Sequence, residues 1–261
     1  MVAVAPEAES ERLQPKPLQD KVALITGGAR GIGRAIALEF AARGAVVVVH
    51  YRTSNAEAEE LSAEIQELGA ESFLVQGDVS SKEDSKRVME AVLDKFKQVN
   101  ILVNNAGISR DKALRKMTDV DWTEVLNTNL NSTFFCTRAA LPSMIDNKFG
   151  RIVNVTKFAG HSGPFGEANY AASKGAIVAF TKTVALEMAQ YNITANVISP
   201  GYTASEMVAG LSARALDEIA SQIPLKRIAD PREVAKAVAF LVTDGSYITG
   251  HQLNVNGGIY M

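Results

Sequence analysis

Short apolar runs rich in β-branched residues alternate along this chain with longer amphipathic stretches, and this alternation most restricts its fold. The helical patterns cover residues 33–43, 55–68, 82–96, 122–144 and 169–189, and the apolar runs, which are the predicted strands, cover 22–25, 46–50, 72–76, 101–104, 150–155, 193–198 and 252–255. Runs that are apolar throughout suit parallel strands covered on both faces, and such strands need crossover helices of one hand. The pattern therefore predicts an α/β fold: a single doubly wound parallel sheet with helices on both faces.

The 261 residues contain no internal repeat and no linker, so we predict one domain over residues 20–261. The segment 1–19 carries three prolines and several acids but almost no bulky apolar residue, and it is predicted to be a disordered extension. It lacks the apolar centre of a signal peptide and the acid-poor character of a transit peptide. No run downstream is long and apolar enough to span a membrane, so a cytoplasmic location is expected.

Charge and cysteine content exclude several kinds of function. The formal net charge is −2 and the basic residues are scattered, which argues against a nucleic-acid partner. The single cysteine, Cys136, lies in an apolar helical pattern and is interpreted as a free structural thiol. The three histidines, His50, His161 and His251, are too few and too dispersed to suggest a metal site.

A glycine-rich turn follows the first predicted strand directly and opens the first helix. Its sequence is TGGARGIG over residues 26–33, in which Gly27 and Gly31 allow a tight turn close to a pyrophosphate. Gly33 allows the helix to pack close to the strand, and the N–H groups around Ile32 begin a helix whose N-terminus attracts anions. A glycine turn without a ligand would look similar, but the strand–turn–helix context favours a dinucleotide site.

The end of the second predicted strand indicates which dinucleotide is bound. NAD-binding folds usually place an acid there for the ribose 2′-hydroxyl, whereas this chain has His50, Tyr51, Arg52, Thr53 and Ser54. Arg52 offers charge and a fork of donors to a 2′-phosphate, and Thr53 and Ser54 add hydroxyl groups. Two solvated surface arginines, Arg30 and Arg52, are the plainer interpretation. The pattern favours NADP(H).

Four motifs in order make the chain similar to the short-chain dehydrogenase/reductase family from about residue 21 to residue 261. They are the glycine turn, NNAG at 104–107, YAASK at 170–174 and SPG at 199–201. Within the family, the segments NAGISRD (105–111), TNL (128–130) and VNGGIYM (255–261) resemble the 3-oxoacyl-(acyl-carrier-protein) reductases. The resemblance implies a Rossmann-type, NADPH-dependent carbonyl reductase.

The resemblance also assigns roles to residues. It implies that Tyr170 donates a proton to the forming alkoxide while Lys174, four residues later on one helix face, lowers the phenol pKa and holds the ribose. Asn129 matches an asparagine that helps to hold a water for proton relay. The cofactor contacts implied by the same likeness lie in the turn and at later strand ends: Arg30, Asp78, Val79, Asn105, Ala106, Gly107, Pro200, Gly201 and Thr203. Asp78 could equally be a cap for the following helix.

One family residue is missing, because the serine expected thirteen positions before the tyrosine is Lys157. Three roles stay open for Lys157: a donor that polarises the carbonyl, a binding group for an anionic substrate, or a charge that abolishes ketone reduction. A lysine that points to solvent and an engineered replacement of serine are the plainer alternatives. The neighbouring Thr156 carries a hydroxyl but is expected to point to the other side of the strand end.

The remaining expectations concern substrate and assembly. The segment 201–227 has a loosely helical apolar pattern (Tyr202, Met207, Val208, Leu211, Leu216, Ile219), which the resemblance identifies as a flap over an acyl or small-molecule substrate. Arg110, Lys148 and Arg151 are weak candidates for docking an acidic carrier protein. The long helical patterns at 122–144 and 169–189 are similar to family helices that join subunits, which predicts a homotetramer, with a dimer second. The alternative to a carbonyl reductase is an NADP-binding protein of the same fold that reduces imines, acts as a scaffold or is a catalytically inactive oligomer partner.

Overall fold

In the computed structural model, which describes residues 16–204 and 212–261 apart from the side chains of Ala159 and His161, seven parallel strands form one sheet. The strands are β1 (Val22–Ile25), β2 (Val46–Tyr51), β3 (Ser72–Gln76), β4 (Ile101–Asn104), β5 (Gly150–Val155), β6 (Ile193–Pro200) and β7 (Gln252–Val255). Their order across the sheet is β3-β2-β1-β4-β5-β6-β7. The predicted doubly wound α/β sheet is confirmed.

The helices of the described residues cover both faces of the sheet. They are α1 (Gly31–Ala42), α2 (Asn55–Glu67), α3 (Lys82–Phe96), α4 (Asp119–Leu126), α5 (Ser132–Asp146), α6 (Ala159–Ser162), α7 (Ala168–Met188), α8 (Ala213–Gln222) and α9 (Pro231–Val242). Short 3₁₀ turns lie at Leu114–Lys116 and Ala189–Tyr191. None of the helices within 16–204 and 212–261 is long and apolar enough to cross a membrane.

Strand order places the functional edge of the sheet. The chain adds β2 and β3 on one side of β1 and then β4 to β7 on the other, so the order of strands reverses between β1 and β4. These two strands pair in parallel, with Ala23 opposite Ile101 and Ile25 opposite Val103. Loops that leave the carboxyl ends of these two strands diverge to opposite sides and leave a crevice between them. The glycine turn leaves β1 at this point, and the NNAG motif leaves β4 beside it.

Alternate residues along the strands contribute their side chains to two separate apolar cores. Ala23 and Ile25 of β1 belong to a core that includes Phe40 of α1 and Val238 of α9. Val22 and Leu24 point the other way, into a core built with α3, α5 and α7 that includes Val88, Met144 and Val184. Each fully buried aliphatic or aromatic side chain of this kind stabilises the fold by about 1.5–3 kcal/mol.

Two helical predictions need correction. The pattern at 122–144 is not one helix, because α4 and α5 are separated by a wider, π-helical turn over Asn127–Asn131, and α5 ends only at Asp146. Helix α9 is absent from the predicted set, although its start carries clear signals. Asp230 and Glu233 form a reciprocal capping box there, and Pro231 occupies the first helical position.

The end of the predicted N-terminal extension packs against the domain. Leu18 is buried in the first core, and its backbone N–H donates to the carbonyl of Arg43. The packed chain therefore begins before residue 20, by at least two residues. The earlier part of the predicted extension, residues 1–15, lies outside the described residues.

Candidate active site

One cavity of about 550 Å³ runs along the carboxyl ends of β1 to β6. Its size is typical of a ligand site. It brings together most of the predicted site residues: Gly27, Arg30, Gly31, Ile32, Tyr51, Arg52, Thr53, Ser54, Asp78, Val79, Asn105, Ala106, Gly107, Lys157, Tyr170, Lys174, Pro200, Gly201 and Thr203. Gly33 and Asn129 do not line it.

The glycine turn has the shape that a close ligand approach requires. Gly27 and Gly31 have φ values of +60° and +53°, in the region that favours glycine. A Cβ on Gly33 would lie 2.4 Å from the carbonyl oxygen of Gly27 and 2.6 Å from Nδ2 of Asn105. Gly33 therefore acts from behind the cavity wall, where it allows α1 to pack against the turn.

Asn105 ties the turn to the end of β4. Its side-chain amide donates to the carbonyls of Thr26 and Gly27 at 3.0 and 2.9 Å. In return, the hydroxyl of Thr26 accepts from the backbone N–H groups of Asn105 and Ala106, both at 3.0 Å. The two loops that border the crevice are thus held as one rigid wall.

A basic residue and an acidic residue stand at the β2 and β3 end of the cavity. Nη1 of Arg52 lies 3.5 Å from Oδ2 of Asp78, and both side chains are about half exposed. Asp78 accepts from the N–H and hydroxyl of Ser80, and although burial opposes the effect, these bonds and Arg52 lower its pKa. The cap of α3 is Ser81, so Asp78 closes the preceding turn and does not cap the helix.

Tyr170 and Lys174 share the first turns of α7. Nζ of Lys174 donates to the carbonyl of Val155 at 2.9 Å and lies 5.5 Å from the centre of the Tyr170 ring. Burial, and then the charge of Lys157, lower the pKa of Lys174 to about 8. Burial raises the pKa of Tyr170, and Glu167 and Asp111 raise it further. This direction is the opposite of the lowering expected from Lys174.

Asn129 lies behind the catalytic pair, in the π-helical turn, and is fully buried. Its amide oxygen accepts from the N–H of Ile108 at 2.8 Å, and its amide nitrogen donates to the carbonyl of Ile108 and the hydroxyl of Ser173, both at 3.1 Å. The irregular turn thus connects the loop after β4 with the catalytic helix, one residue before Lys174.

Lys157 follows β5 and points into the cavity. Its Nζ lies over three aromatic rings, at 5.6 Å from the centres of Phe158 and Tyr170 and 5.4 Å from that of Tyr202. The solvent-pointing alternative for Lys157 is therefore wrong. The hydroxyl of Thr156 donates to the carbonyl of Ile198 at 3.2 Å and is engaged within the sheet.

Several residues of the site were not predicted from the sequence. Asp111 and Glu167 line the cavity beside the catalytic pair. His50 is buried behind the glycine turn and contacts it directly. Asn169 donates to the carbonyls of Arg110 and Asp121 at 3.2 and 3.0 Å, and so fixes the start of α7. The sequence offers no sharper signal for these than a polar residue close to a motif.

Other predicted features have a structural explanation or fall outside the description. Arg151 is buried, stacks on Phe149 and donates to the carbonyls of Gly150 and Asn192, so its proposed contact with a carrier protein is wrong. Cys136 is buried, and burial raises the pKa of its thiol to about 12. In the predicted flap, Tyr202 and Ile219 line the cavity, whereas Met207, Val208 and Leu211 lie outside the described residues.

Comparison with known proteins identifies the class to which this fold and site belong. A family model described as enoyl-(acyl carrier protein) reductase matches residues 27–260. The chain is 42% identical over 243 residues to the 3-oxoacyl-(acyl-carrier-protein) reductase FabG of Staphylococcus epidermidis, which covers 93% of this chain and 100% of the relative. A Synechocystis reductase of the same name is 44% identical over 94% of this chain and 98% of its own length.

The sheet, the glycine turn and the Tyr170–Lys174 pair in one cavity, taken together with these relatives, indicate an oxidoreductase. The chain belongs to the short-chain dehydrogenase/reductase family. Within that family it is similar to proteins named 3-oxoacyl-(acyl-carrier-protein) reductase, with a Haemophilus influenzae relative 42% identical over 94% of this chain and the whole of that relative.

Proposed function

We propose that this chain is an NADPH-dependent reductase of carbonyl groups that acts on 3-oxoacyl thioesters. The observation that carries the proposal is a single cavity lined at one end by the glycine turn and Arg52, and at the other by Tyr170 and Lys174. We further propose that residues 20–261 form one domain, because all seven strands belong to a single sheet. The names of the relatives support the thioester substrate.

The glycine turn fits a pyrophosphate. A Cβ on Gly33 would collide with the carbonyl of Gly27, so the close packing of α1 that directs its N-terminal N–H groups into the cavity depends on glycine. Gly27, Gly31 and Ile32 would hold the diphosphate. Asp78 and Val79 would border the adenine, and Asn105 to Gly107 with Pro200, Gly201 and Thr203 would border the nicotinamide side.

The residues after β2 favour NADP(H) over NAD(H). Arg52, Thr53 and Ser54 line the cavity, and no acid stands among them. A guanidinium can bind a phosphate through two parallel hydrogen bonds, which is a stronger contact than it makes with a hydroxyl. Arg30, in the glycine turn, also lines the cavity and adds a second positive charge. A 2′-phosphate is therefore the better match.

The proton of the reduction is assigned to Tyr170. When bound, the reduced cofactor supplies the hydride, and the Tyr170 hydroxyl donates its proton to the carbonyl oxygen of the substrate. Because burial raises the pKa of Tyr170, the phenol is protonated and ready to donate in the resting protein. The ammonium of Lys174, a few ångströms from the ring, favours the phenolate that donation leaves behind. Asn129 would complete proton resupply through a water.

Lys157 is assigned the task of polarising the carbonyl, in place of the family serine. Its ammonium lies over the ring of Tyr170, on the same cavity wall. A cation there can donate to the carbonyl oxygen as negative charge develops on it. Removal of one such donor typically costs about 10²–10³ in rate, so a Lys157 that did not replace the serine would leave only feeble activity.

A second candidate function is favoured by one observation, the presence of Lys157 at the position of the family serine. The charge of Lys157 lowers the pKa of Lys174, and a site tuned in this way could serve imine reduction, or leave a silent cofactor-binding protein or scaffold. The experiment that separates the two is oxidation of NADPH with acetoacetyl thioester by the wild type, Lys157→Ser and Tyr170→Phe. A 2-enoyl thioester is run in parallel, since the family model carries the name of an enoyl reductase.

The reductase predicts measurable turnover by the wild type, loss in Tyr170→Phe, and no large gain in Lys157→Ser. Near-zero turnover by the wild type that rises by orders of magnitude in Lys157→Ser would reject a working Lys157 reductase for that substrate. Turnover of the enoyl thioester alone would replace ketone reduction by reduction of a carbon–carbon double bond.

We also propose a homotetramer in which α5 and α7 form subunit contacts. Phe134 of α5 is partly exposed and packs edge-on against Phe180 of α7, and Leu186 of α7 is 83% exposed. Exposed apolar residues on two helices that contact each other are typical of an interface. Light scattering gives the mass of the assembly, and Leu186→Glu is expected to reduce it.

A further inference from the structure

The carboxyl group of Glu167 is a polar group of the cavity that the proposed reaction does not use. Glu167 is the residue immediately before α7, three positions ahead of Tyr170, and it lines the cavity. Its Oε2 atom is buried and has no hydrogen-bond partner in the described part of the chain. A buried acceptor without a partner is unfavourable, so such an atom normally accepts a hydrogen bond from a protein group, an ordered water or a ligand.

Lys157 does not satisfy this carboxyl group. The two side chains face the same cavity, yet no ion pair within 4.0 Å joins them, and the ammonium of Lys157 instead lies over the rings of Phe158, Tyr170 and Tyr202. Their charges still act on each other, because Lys157 lowers the pKa of Glu167 while burial, the larger effect, raises it. The cavity thus holds a donor, the ammonium of Lys157, and an acceptor, the carboxyl group of Glu167, with space between them.

We propose that Glu167 is a substrate-binding residue that accepts a hydrogen bond from a hydroxyl or N–H group next to the reacting carbonyl. The inference rests on the proposed ketone reduction at Tyr170 and extends the substrate class to ketones with such a donor, which a 3-oxoacyl thioester lacks beside its 3-oxo group. Three residues along a helix correspond to about 4.5 Å of rise, on nearly the same face. A donor one or two bonds from a carbonyl held at Tyr170 is therefore within reach of Glu167.

The charges at this end of the cavity favour a substrate group that donates a hydrogen bond over a substrate group that carries a negative charge. Asp111 also lines this end of the cavity, and its charge raises the pKa of Glu167. The two acids balance the ammonium groups of Lys157 and Lys174, so this end of the cavity has no net positive charge to favour a carboxylate. A purely alkyl substituent would leave Oε2 of Glu167 unsatisfied and away from water, whereas a hydroxyl or amide N–H would satisfy it.

Two ketones of equal size distinguish a substrate that has a hydrogen-bond donor beside the carbonyl from one that has an alkyl group there. In 1-hydroxyhexan-2-one a hydroxyl replaces a terminal methyl of heptan-3-one, beside the same carbonyl. Their binding is measured by isothermal titration calorimetry at pH 8, to the protein alone and with oxidised NADP, so that no turnover is needed. We expect the wild type to bind the hydroxyketone about tenfold more tightly, the value of one hydrogen bond to a charged acceptor.

The Glu167→Leu variant is expected to lose this preference, and Glu167→Gln, which keeps a carbonyl acceptor, to retain part of it. Glu59→Leu, at an exposed position of α2, serves as the matched control and should bind as the wild type does. Thermal unfolding of each variant shows that it is folded. Equal affinities in the wild type, binding of neither ketone, or a preference that survives in Glu167→Leu overturns the assignment. Absence of NADPH oxidation with acetoacetyl thioester overturns only the proposed reaction.

Discussion

The Nδ1 atom of His50 accepts a hydrogen bond of 3.2 Å from the backbone N–H of Gly27, so the end of β2 holds the glycine turn in place. On the other side of the ring, Nε2 is 3.1 Å from the carbonyl oxygen of Gly77, to which it donates. This pattern needs the neutral imidazole with its proton on Nε2. Burial favours the same form, and it lowers the pKa of His50 to about 4.

Stability is therefore expected to fall in mild acid through His50. The unfolded chain takes up a proton near pH 6.5 but the folded chain only near pH 4, so the contribution is complete above pH 6.5 and is lost as the pH falls towards 4. One such proton gives a slope of at most about 1.4 kcal/mol per pH unit. Chemical unfolding at a series of pH values measures it.

The His50→Phe variant keeps an aromatic ring at this position but loses both hydrogen bonds of the imidazole. Its stability at pH 7.5 should be lower by about 2–3 kcal/mol, its affinity for NADPH should fall, and the part of the acid slope due to His50 should vanish. His251→Phe is the control, because His251 is exposed and its ring is far from the turn in sequence and strand order. An unchanged slope in His50→Phe would contradict the role of the ring.

Gly33→Ala tests the packing of α1 on the turn. The added methyl would meet the carbonyl of Gly27 and the amide of Asn105, and these two groups are already hydrogen-bonded to each other. We expect a loss of about 1–3 kcal/mol in unfolding free energy, together with much weaker NADPH binding. In Gly69→Ala the methyl meets no neighbour within 4 Å, although φ is +75°, so that variant should lose stability and keep its affinity.

The sequence predicts the sheet closely because its central strands are buried on both faces. A run such as Ile101 to Val103 is apolar without alternation, and this pattern, bounded by turns, leaves little choice of limits. The ends of β2 and β6 extend one and two residues beyond the predicted limits, since pairing continues after the apolar residues stop. Confirmation of the strand order required the structure.

The site was only partly predictable, because motif residues are recognised in sequence and their supporting contacts are not. The π-helical turn at Asn129 does not follow from a period of 3.6 residues. His50 has no feature in the sequence that marks it as buried, and the unsatisfied oxygen of Glu167 is a property of the folded cavity. The missing serine could be located by counting, but the rings around Lys157 come from three separate segments of the chain.

Arg52→Ala tests the preference for the phosphorylated cofactor. If the guanidinium binds the 2′-phosphate, its loss should raise the KM for NADPH about tenfold or more and leave the KM for NADH nearly unchanged. Initial rates with each cofactor provide the measurement. Arg232→Ala is the control, because Arg232 is also exposed and paired with an acid, Asp230, but does not line the cavity. A parallel rise for both cofactors would assign Arg52 to the adenosine half in general.

The charge of Lys157 acts on Lys174 across the substrate end of the cavity, and the pH dependence of turnover should reveal it. Burial and Lys157 lower the pKa of Lys174 to about 8, so the ammonium that supports proton donation by Tyr170 is lost as the pH rises through 8. In Lys157→Gln the burial remains but the repulsion is removed. The alkaline limb of kcat/KM should therefore move upward, by about one pH unit, even if the maximal rate falls.

The measurement is kcat/KM for NADPH-dependent reduction of acetoacetyl thioester from pH 6 to pH 10. Lys182→Gln removes a charge from the same helix at an exposed position and should leave the alkaline limb where the wild type has it. A limb that stays fixed in Lys157→Gln would mean that another group controls it. A limb that moves downward would mean that the ammonium of Lys157 protects that of Lys174 through a shared anion, which contradicts direct repulsion between the two.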